Sequence, residues 1–126
     1  RSYSVTGVQT CALPICTKVG SIIGDHTKTS IGTLFNTGSM IGAMGLLMAT
    51  GSVLPKTIPS FAWYLEGMIT KGFGKKMLYQ TAKIAMSRRK KEWTAEEEAM
   101  WDHIHALTKD DRDAAIKKDR RKMAIK

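Results

Sequence analysis

The sequence predicts a mainly β fold, a parallel β-solenoid of six-residue repeats followed by an α-helical cap at its carboxyl end. Two observations predict this fold. Large apolar residues and small residues recur at a six-residue spacing from Thr17 to Val53. From Gly74 onwards, the apolar spacing changes to that of an amphipathic helix. The predicted segments are a solenoid at residues 16–54, an ordered loop at 55–73 and helices at 74–126.

The repeat has an inward series and a corner series. Counted in sixes from Thr17, five of the seven inward positions are large and apolar. The inward series is Thr17, Ile23, Thr29, Phe35, Ile41, Leu47 and Val53, and the small corner series is Ser21, Thr27, Thr33, Ser39, Gly45 and Gly51. In a triangular solenoid, each repeat forms one flat side, with the large residue inside and the small residue near the corner. Gly24 and Gly42 follow inward isoleucines, where a corner favours a residue without a Cβ.

Length and charge limit the classes of protein that this chain can belong to. A chain of 126 residues has room for one domain, and its net charge of +9 is concentrated after residue 71. A basic segment of this kind fits either an anionic partner or a solvated helix surface. Acidic residues are interleaved with the basic ones, and no aromatic residues alternate with them. The pattern therefore predicts a solvated surface, with no nucleic-acid partner and no membrane partner.

A membrane helix is the alternative interpretation of the central segment. The stretch from Thr29 to Pro55 contains no charged residue and is long enough to span a bilayer. However, hydroxyl residues and glycines dilute it, and its most apolar part, Met40–Ala49, is too short to cross. The alternative, a small basic membrane-associated protein, predicts helix for Met40–Val53.

The amino-terminal segment calls for a separate interpretation. The residues from Val5 to Ile15, VTGVQTCALPI, resemble the conceptual translation of a sequencing adapter. We therefore expect residues 1–15 to be a disordered artefact that forms no part of the fold. Cys11 and Cys16 are the two cysteines of the chain, and no further ligands accompany them. They predict neither a disulfide nor a metal site.

Ionisable side chains gather at one predicted corner of the repeat. Asp25, His26 and Lys28 lie within four consecutive positions. In the functional interpretation, His26 carries a proton or contacts a phosphate, and Lys28 supplies a point charge for an anionic group. In the structural alternative, the corner is a solvated turn in which Asp25 caps the backbone. Asn36 also has two interpretations, a stacked asparagine ladder along the solenoid or a contact with substrate.

The carboxyl-terminal half carries helix signals. The basic run Arg88–Lys91 is expected to close the first helix, where it suits the helix dipole. Thr94 and Glu97 form a capping box that begins the second helix, and Thr108 is expected to begin a third. The second helix is predicted to point Met100, Trp101, Ile104 and Leu107 inward. His103 and His105 lie on different helix faces, so they predict no shared metal. These helices are expected to cover an open end of the solenoid.

Three segments carry a resemblance to a known family. They are IGDHTKT at residues 23–29, IGTLFNTG at 31–38 and PKTIPSFAW at 55–63. They resemble the carboxyl-terminal part of sugar nucleotidyltransferases related to the bifunctional N-acetylglucosamine-1-phosphate uridyltransferase and glucosamine-1-phosphate acetyltransferase. The similarity extends from Thr17 to about Leu107. It implies a left-handed parallel β-helix that is a homotrimer and follows a nucleotide-binding domain in the complete protein.

The resemblance also implies a function. The chain would be the carboxyl-terminal fragment of a sugar-phosphate nucleotidyltransferase or acyltransferase of the cytoplasm. We do not expect the fragment to be active alone. The fragment itself would need no cofactor, whereas the full-length protein would use magnesium, acetyl-coenzyme A, a nucleotide and a sugar phosphate. No residue matches the catalytic histidine of the relatives, and Lys18 lies near the position of a substrate-contacting lysine. The candidate binding residues are therefore Lys18, His26, Lys28 and Asn36, with no metal ligand.

A non-catalytic role is the alternative within the same family. In that interpretation, this segment only joins copies of the protein into trimers and caps them, and the chemistry belongs to the missing domain. A repeat array of about two coils is short, because such arrays generally need about three units before their interfaces outweigh the ordering entropy. We therefore expect the segment by itself to be marginally stable and to associate through its open end.

Overall fold

The computed structural model describes residues 19–125, and this part of the chain contains seven short strands and three helices. The strands are β1 (Ile22–Ile23), β2 (Lys28–Thr29), β3 (Met40–Ile41), β4 (Leu46–Leu47), β5 (Thr57–Ile58), β6 (Trp63–Leu65) and β7 (Met68–Thr70). The helices are α1 (Lys75–Ser87), α2 (Ala95–Leu107) and α3 (Lys109–Ala124).

The strands form two sheets from successive turns of the chain. One sheet has the order β1-β3-β5, and the other has the order β2-β4-β6-β7. All pairs are parallel except β6 and β7. Ile23 pairs with Ile41, three six-residue repeats further along, and Ile41 pairs with Ile58 after a turn that is one residue shorter. The repeat spacing therefore matches the pairing register of the first turns.

The predicted fold class, a mainly β left-handed parallel β-helix, is wrong. Helices hold 39% of the described residues and strands hold 17%. Each strand has only two or three residues, and within residues 19–125 neither sheet closes or forms a solenoid. The six-residue spacing indicates where the chain turns and which residues pair. It does not determine what fraction of the residues forms strands. The longest regular elements in the described part of the chain are the three helices.

Glycines permit a close approach of successive turns. A Cβ on Gly24 would lie 2.8 Å from the Cα of Ala43, and one on Gly42 would lie 2.6 Å from the Cα of Ser60. Real Cβ atoms essentially never come so close to backbone atoms. Thr27 fixes the same region, because its hydroxyl donates to the Gly42 carbonyl over 2.7 Å. The small residues of the repeat thus hold two turns against each other.

The corresponding corners of three successive turns have an unusual backbone. His26, Met44 and Phe61 have φ values of 58°, 56° and 59°, in the left-handed region that L-residues rarely adopt. Hydrogen bonds link them in a row, with Met44 N donating to Asp25 O over 2.9 Å and Phe61 N to Ala43 O over 2.8 Å. We call these three residues the corner row. Because three different residues adopt the left-handed conformation at the same corner, the geometry of the turn requires that conformation.

Two hydrophobic clusters form the core. The first lies between the sheets and α3, and its buried members are Ile41, Leu47, Leu54, Ile58, Ala62, Tyr64, Ile69 and Ile116. The second lies between the corner row and the first two helices, and its buried members are Met44, Phe61, Leu78, Tyr79, Ala82 and Trp101. The helices therefore pack against the corner row, while β1 and β2 remain the outer strands of their sheets.

The inward series is only partly buried. Ile41 and Leu47 are 4% and 0% exposed, whereas Ile23 and Val53 are 44% and 53% exposed. Ile23 lies in β1, which has a neighbouring strand on one side only in the part of the chain that the structure describes. Position in the repeat therefore determines burial only where a second turn covers the residue.

The segment predicted as a loop at residues 55–73 contains three strands. The last two form a hairpin whose two connecting residues, Glu66 and Gly67, both have positive φ. This is the backbone that two-residue hairpin loops favour. The segment Met40–Val53, for which the membrane alternative predicts helix, contains β3 and β4 instead.

Helix α2 begins as predicted, but its inward residues are only partly correct. The Thr94 hydroxyl accepts from Glu97 N over 3.1 Å, as an N-cap does. Trp101 is 4% exposed, whereas Met100 and Leu107 are 47% and 67% exposed. The buried face of α2 is therefore a narrow stripe around Trp101.

The substitution Gly42→Ala tests the close approach of the turns. We expect it to lower the free energy of unfolding by about 1–3 kcal/mol, because the added methyl group overpacks against Ser60. Urea denaturation of both proteins measures the difference. Gly20→Ala is the matched control, since a Cβ there meets nothing within 4 Å. Equal stability of the two variants would contradict the close approach.

Candidate functional site

A cleft lies between the first corner and the end of α1. Its lining residues are His26, Thr27, Lys28, Ala85, Met86, Arg89 and Lys91, and its volume is about 380 Å³. Three of these residues carry a permanent or nearly permanent positive charge, and none is acidic. We call this space the basic cleft. Its composition suits an anionic group rather than a cationic one.

His26 forms one wall of the basic cleft. Its ring packs edge-on against Trp101 and Trp93, with centroid separations of 5.8 and 6.3 Å. Its carbonyl accepts from the Lys28 ammonium over 3.0 Å. Because the corner row fixes the backbone and two indoles contact the ring, His26 is held in position. A ring held in this way is better suited to contact a bound ligand than to move and carry a proton.

Lys28 lies in β2 and is half-buried. Its backbone N donates to Gly45 O over 2.9 Å, which holds it to the next turn. Burial lowers the pKa of its ammonium below the usual value for lysine. None of the three ion pairs among residues 19–125 includes Lys28, Arg89 or Lys91. The charge of the cleft is therefore uncompensated within the described part of the chain.

The loop after α1 fixes the other wall. Lys91 N donates to Met86 O over 3.0 Å, and Lys90 N donates to Ser87 O over 3.0 Å. This pair of bonds is the Schellman ending of a helix, which places one residue in the left-handed conformation. That residue is Lys90, with a φ of 56°. Glycine is the usual residue there, so the chain retains a strained lysine beside the cleft.

The structure brings two of the four sequence-predicted site residues together. His26 and Lys28 lie together in the basic cleft. Asn36 lies elsewhere, and its backbone carbonyl accepts from the Ser39 hydroxyl over 2.6 Å. It is the sole asparagine of the sequence, so a ladder of stacked asparagines cannot form. Lys18 lies outside the described residues.

The sequence does not predict the second wall of the cleft. The run Arg88–Lys91 is predicted only to end a helix, although Arg89 and Lys91 also line the cleft beside His26. The signal was the basic run itself. Nothing in the sequence relates that run to a corner some sixty positions earlier, because the helical layer brings the two together.

The described residues do not fit a magnesium site. Magnesium prefers carboxylate and other oxygen ligands in octahedral geometry. Among residues 19–125, no group of three or more His, Cys, Asp or Glu side chains is placed to hold a metal ion. The lining of the basic cleft contains no carboxylate.

Comparison with known proteins finds no relatives. No family model, no curated protein and no solved structure matches this chain. In the described part of the chain, no helix has both the length and the apolar character needed to cross a bilayer.

The substitution Lys90→Gly tests the strained helix ending. We expect it to raise the free energy of unfolding by about 1 kcal/mol, because glycine adopts the left-handed conformation without the clash of a Cβ. Thermal or urea unfolding measures the gain.

Arg88→Gly is the matched control, since it removes one cation from the same loop at a right-handed position with a φ of −61°. Glycine in such a position lowers the free energy of unfolding by up to about 1 kcal/mol. A shift in the same direction for both variants would contradict the assignment.

Proposed function

We propose that this chain is the carboxyl-terminal portion of a sugar-phosphate nucleotidyltransferase or acyltransferase, and that its basic cleft binds a phosphate-bearing ligand. The observation that carries the proposal is a cleft with three uncompensated cations from two separate segments. One of these segments, at residues 23–29, also carries the resemblance to sugar nucleotidyltransferases. The proposal includes a cytoplasmic location.

The charges of the cleft favour a phosphate over a neutral sugar. Like charges around one space repel each other, and a bound phosphate would offset this repulsion. A phosphate monoester brings about −1.5 to −2 charges and three acceptor oxygens at neutral pH. Arg89 can donate two hydrogen bonds to such a group, whereas Lys28 acts as a point charge.

The size of the cleft favours a small ligand. Its volume of about 380 Å³ lies near the lower end of the range for small-molecule sites. Ala85 and Met86 supply a short apolar wall beside the charges. A sugar phosphate fits these properties as a whole. A nucleotide or acetyl-coenzyme A would place only its phosphate groups in the cleft, with the remainder outside.

The proposed role of the described residues is binding and orientation. Lys28 and Arg89 would hold the phosphate from opposite walls, and Lys91 would add to the positive field. His26, held by two tryptophans, would contact the ligand from the side of the corner. The chemistry of transfer belongs to the domain that the resemblance places upstream in the complete protein.

Binding measurements on the full chain test this proposal. Isothermal titration with N-acetylglucosamine 1-phosphate, UDP-N-acetylglucosamine, coenzyme A and inorganic phosphate compares the ligand classes. We expect Lys28→Gln and Arg89→Gln each to weaken binding about tenfold or more, because each removes a charge-assisted contact worth about 1.5–3 kcal/mol.

Lys76→Gln is the matched control, since Lys76 is an exposed lysine of α1 that does not line the cleft. It should leave the affinity nearly unchanged. Failure of all four compounds to bind, or equal weakening by Lys76→Gln, would overturn the proposal.

A second candidate function, a non-catalytic association module, is favoured by the outer strands. Within residues 19–125, β1 and β2 have neighbours on one side only, and exposed apolar residues lie at this edge. Ile22 is 55% exposed, and Leu34 is 49% exposed. An apolar edge with unpaired backbone groups readily pairs with another chain. This candidate is compatible with the homotrimer that the resemblance implies.

The substitution Ile22→Lys tests association through this edge. We expect the unmodified chain to form trimers and the variant to shift to monomers, because a charge opposes pairing at the edge. Size-exclusion chromatography with light scattering measures the mass of both.

Met77→Lys places the same charge on an exposed apolar residue of α1 and is the matched control. A monomeric unmodified chain, or dissociation by both variants, would exclude this edge as the interface.

A further inference from the structure

We propose that the contact between His105 and Arg112 is a pH-sensitive clamp that joins α2 to α3 and to the corner row. The clamp is closed while His105 is neutral and opens when His105 takes up a proton. It lies apart from the basic cleft, and it does not depend on the function proposed above.

Arg112 is the centre of the clamp. Its side chain is only 2% exposed, although it carries a permanent charge. The guanidinium donates to Ser60 O over 3.3 Å, to the Thr108 hydroxyl over 3.1 Å and to His105 O over 3.2 Å. It also lies over the Phe61 ring at 6.0 Å. All these partners are neutral, so the buried charge is stabilised by dipoles and by the ring.

His105 completes the set of partners. Its Nε2 lies 3.2 Å from a guanidinium nitrogen of Arg112. Because arginine can only donate, Nε2 must offer its lone pair, and the ring proton must be on Nδ1. The same ring packs edge-on against Phe61 at 4.9 Å. The geometry therefore specifies both the neutral state and the tautomer of His105.

Protonation would break this arrangement. A second proton on His105 converts Nε2 from an acceptor into a donor that faces another donor. It also places two positive charges about 3 Å apart in a partly buried setting, where they repel each other more strongly than in water. Either the ring or the guanidinium must then move. Since Arg112 bridges Ser60 and α2, its movement would loosen α3 from the corner row.

The surroundings of His105 favour its neutral form, because they lower its pKa. Burial is the main cause that lowers the pKa of His105, followed by Arg112, Lys75 and Lys71, whereas Asp102 raises it. Asp102 is already engaged, since its Oδ1 accepts from Lys75 over 2.6 Å and from the Tyr79 hydroxyl over 2.8 Å. Burial lowers the pKa of Arg112, and the charge of Asp113 opposes this shift.

The sign of the pH dependence follows from the linkage between protonation and folding. The unfolded chain takes up a proton at the ordinary histidine pKa of about 6.5, and the folded chain does so only at lower pH. The contribution of the clamp is therefore complete above about pH 6.5. It decreases as the pH falls below that value, because the unfolded state then binds more protons.

Urea unfolding of the full chain between about pH 8 and about pH 5 tests the clamp. We expect the urea midpoint of the unmodified chain to fall across this range. His105→Gln keeps an acceptor for Arg112 but does not titrate, so its midpoint should fall distinctly less. His103→Gln is the matched control, because His103 is an exposed residue of the same helix and its variant should behave like the unmodified chain. Equal pH dependence in all three proteins would overturn the proposal.

Nitrogen-15 NMR of the unmodified chain tests the clamp without any variant, should His105→Gln fail to fold. We expect the Nδ1-protonated tautomer for His105 at neutral pH and a titration midpoint below the ordinary histidine value of about 6.5. A proton on Nε2 at neutral pH, or a midpoint at or above about 6.5, would overturn the proposal.

Discussion

The close approach of successive turns at the glycine corners is the constraint on which the rest of the structure depends. Without a Cβ at Gly24 and Gly42, the backbone of each turn lies directly against the next. The left-handed corner row of His26, Met44 and Phe61 lies beside this contact. The side chains of that row then supply the surface on which α1 and α2 pack. A local steric requirement therefore determines where the helical layer docks.

Three groups of cations in the described part of the chain have different surroundings. Some cations form exposed ion pairs, such as Lys75 with Asp102 and Lys83 with Glu98, which contribute little to stability. Arg112 is buried among neutral acceptors, which joins α3 to the corner row. The cations of the basic cleft have neither an acidic partner nor full burial. These cations are therefore available to an external anion.

The sequence predicted local features better than the overall fold. The hydroxyl of Thr94 caps α2, and the repeat spacing matches the pairing of Ile23 with Ile41. These features depend on neighbours within a few residues or on a regular spacing. The fold class was wrong because a repeat period carries no information on the balance between strand and helix. The hairpin at β6 and β7 was missed because its connecting pair, Glu66 and Gly67, lacks the Asn-Gly or Asp-Gly signal that usually marks such a turn.

The candidate site also combines local features that the sequence determines with contacts that only the tertiary structure determines. By itself, the sequence determined that His26 and Lys28 share one corner, since a turn of a few residues keeps them together. It also determined that the chain is basic after residue 71. Only the tertiary structure decided that Arg89 and Lys91 face that corner and that Arg112 meets His105. Such pairings depend on how the helices pack on the corner row, and that packing is a sum of many weak contacts with no local signal in the sequence.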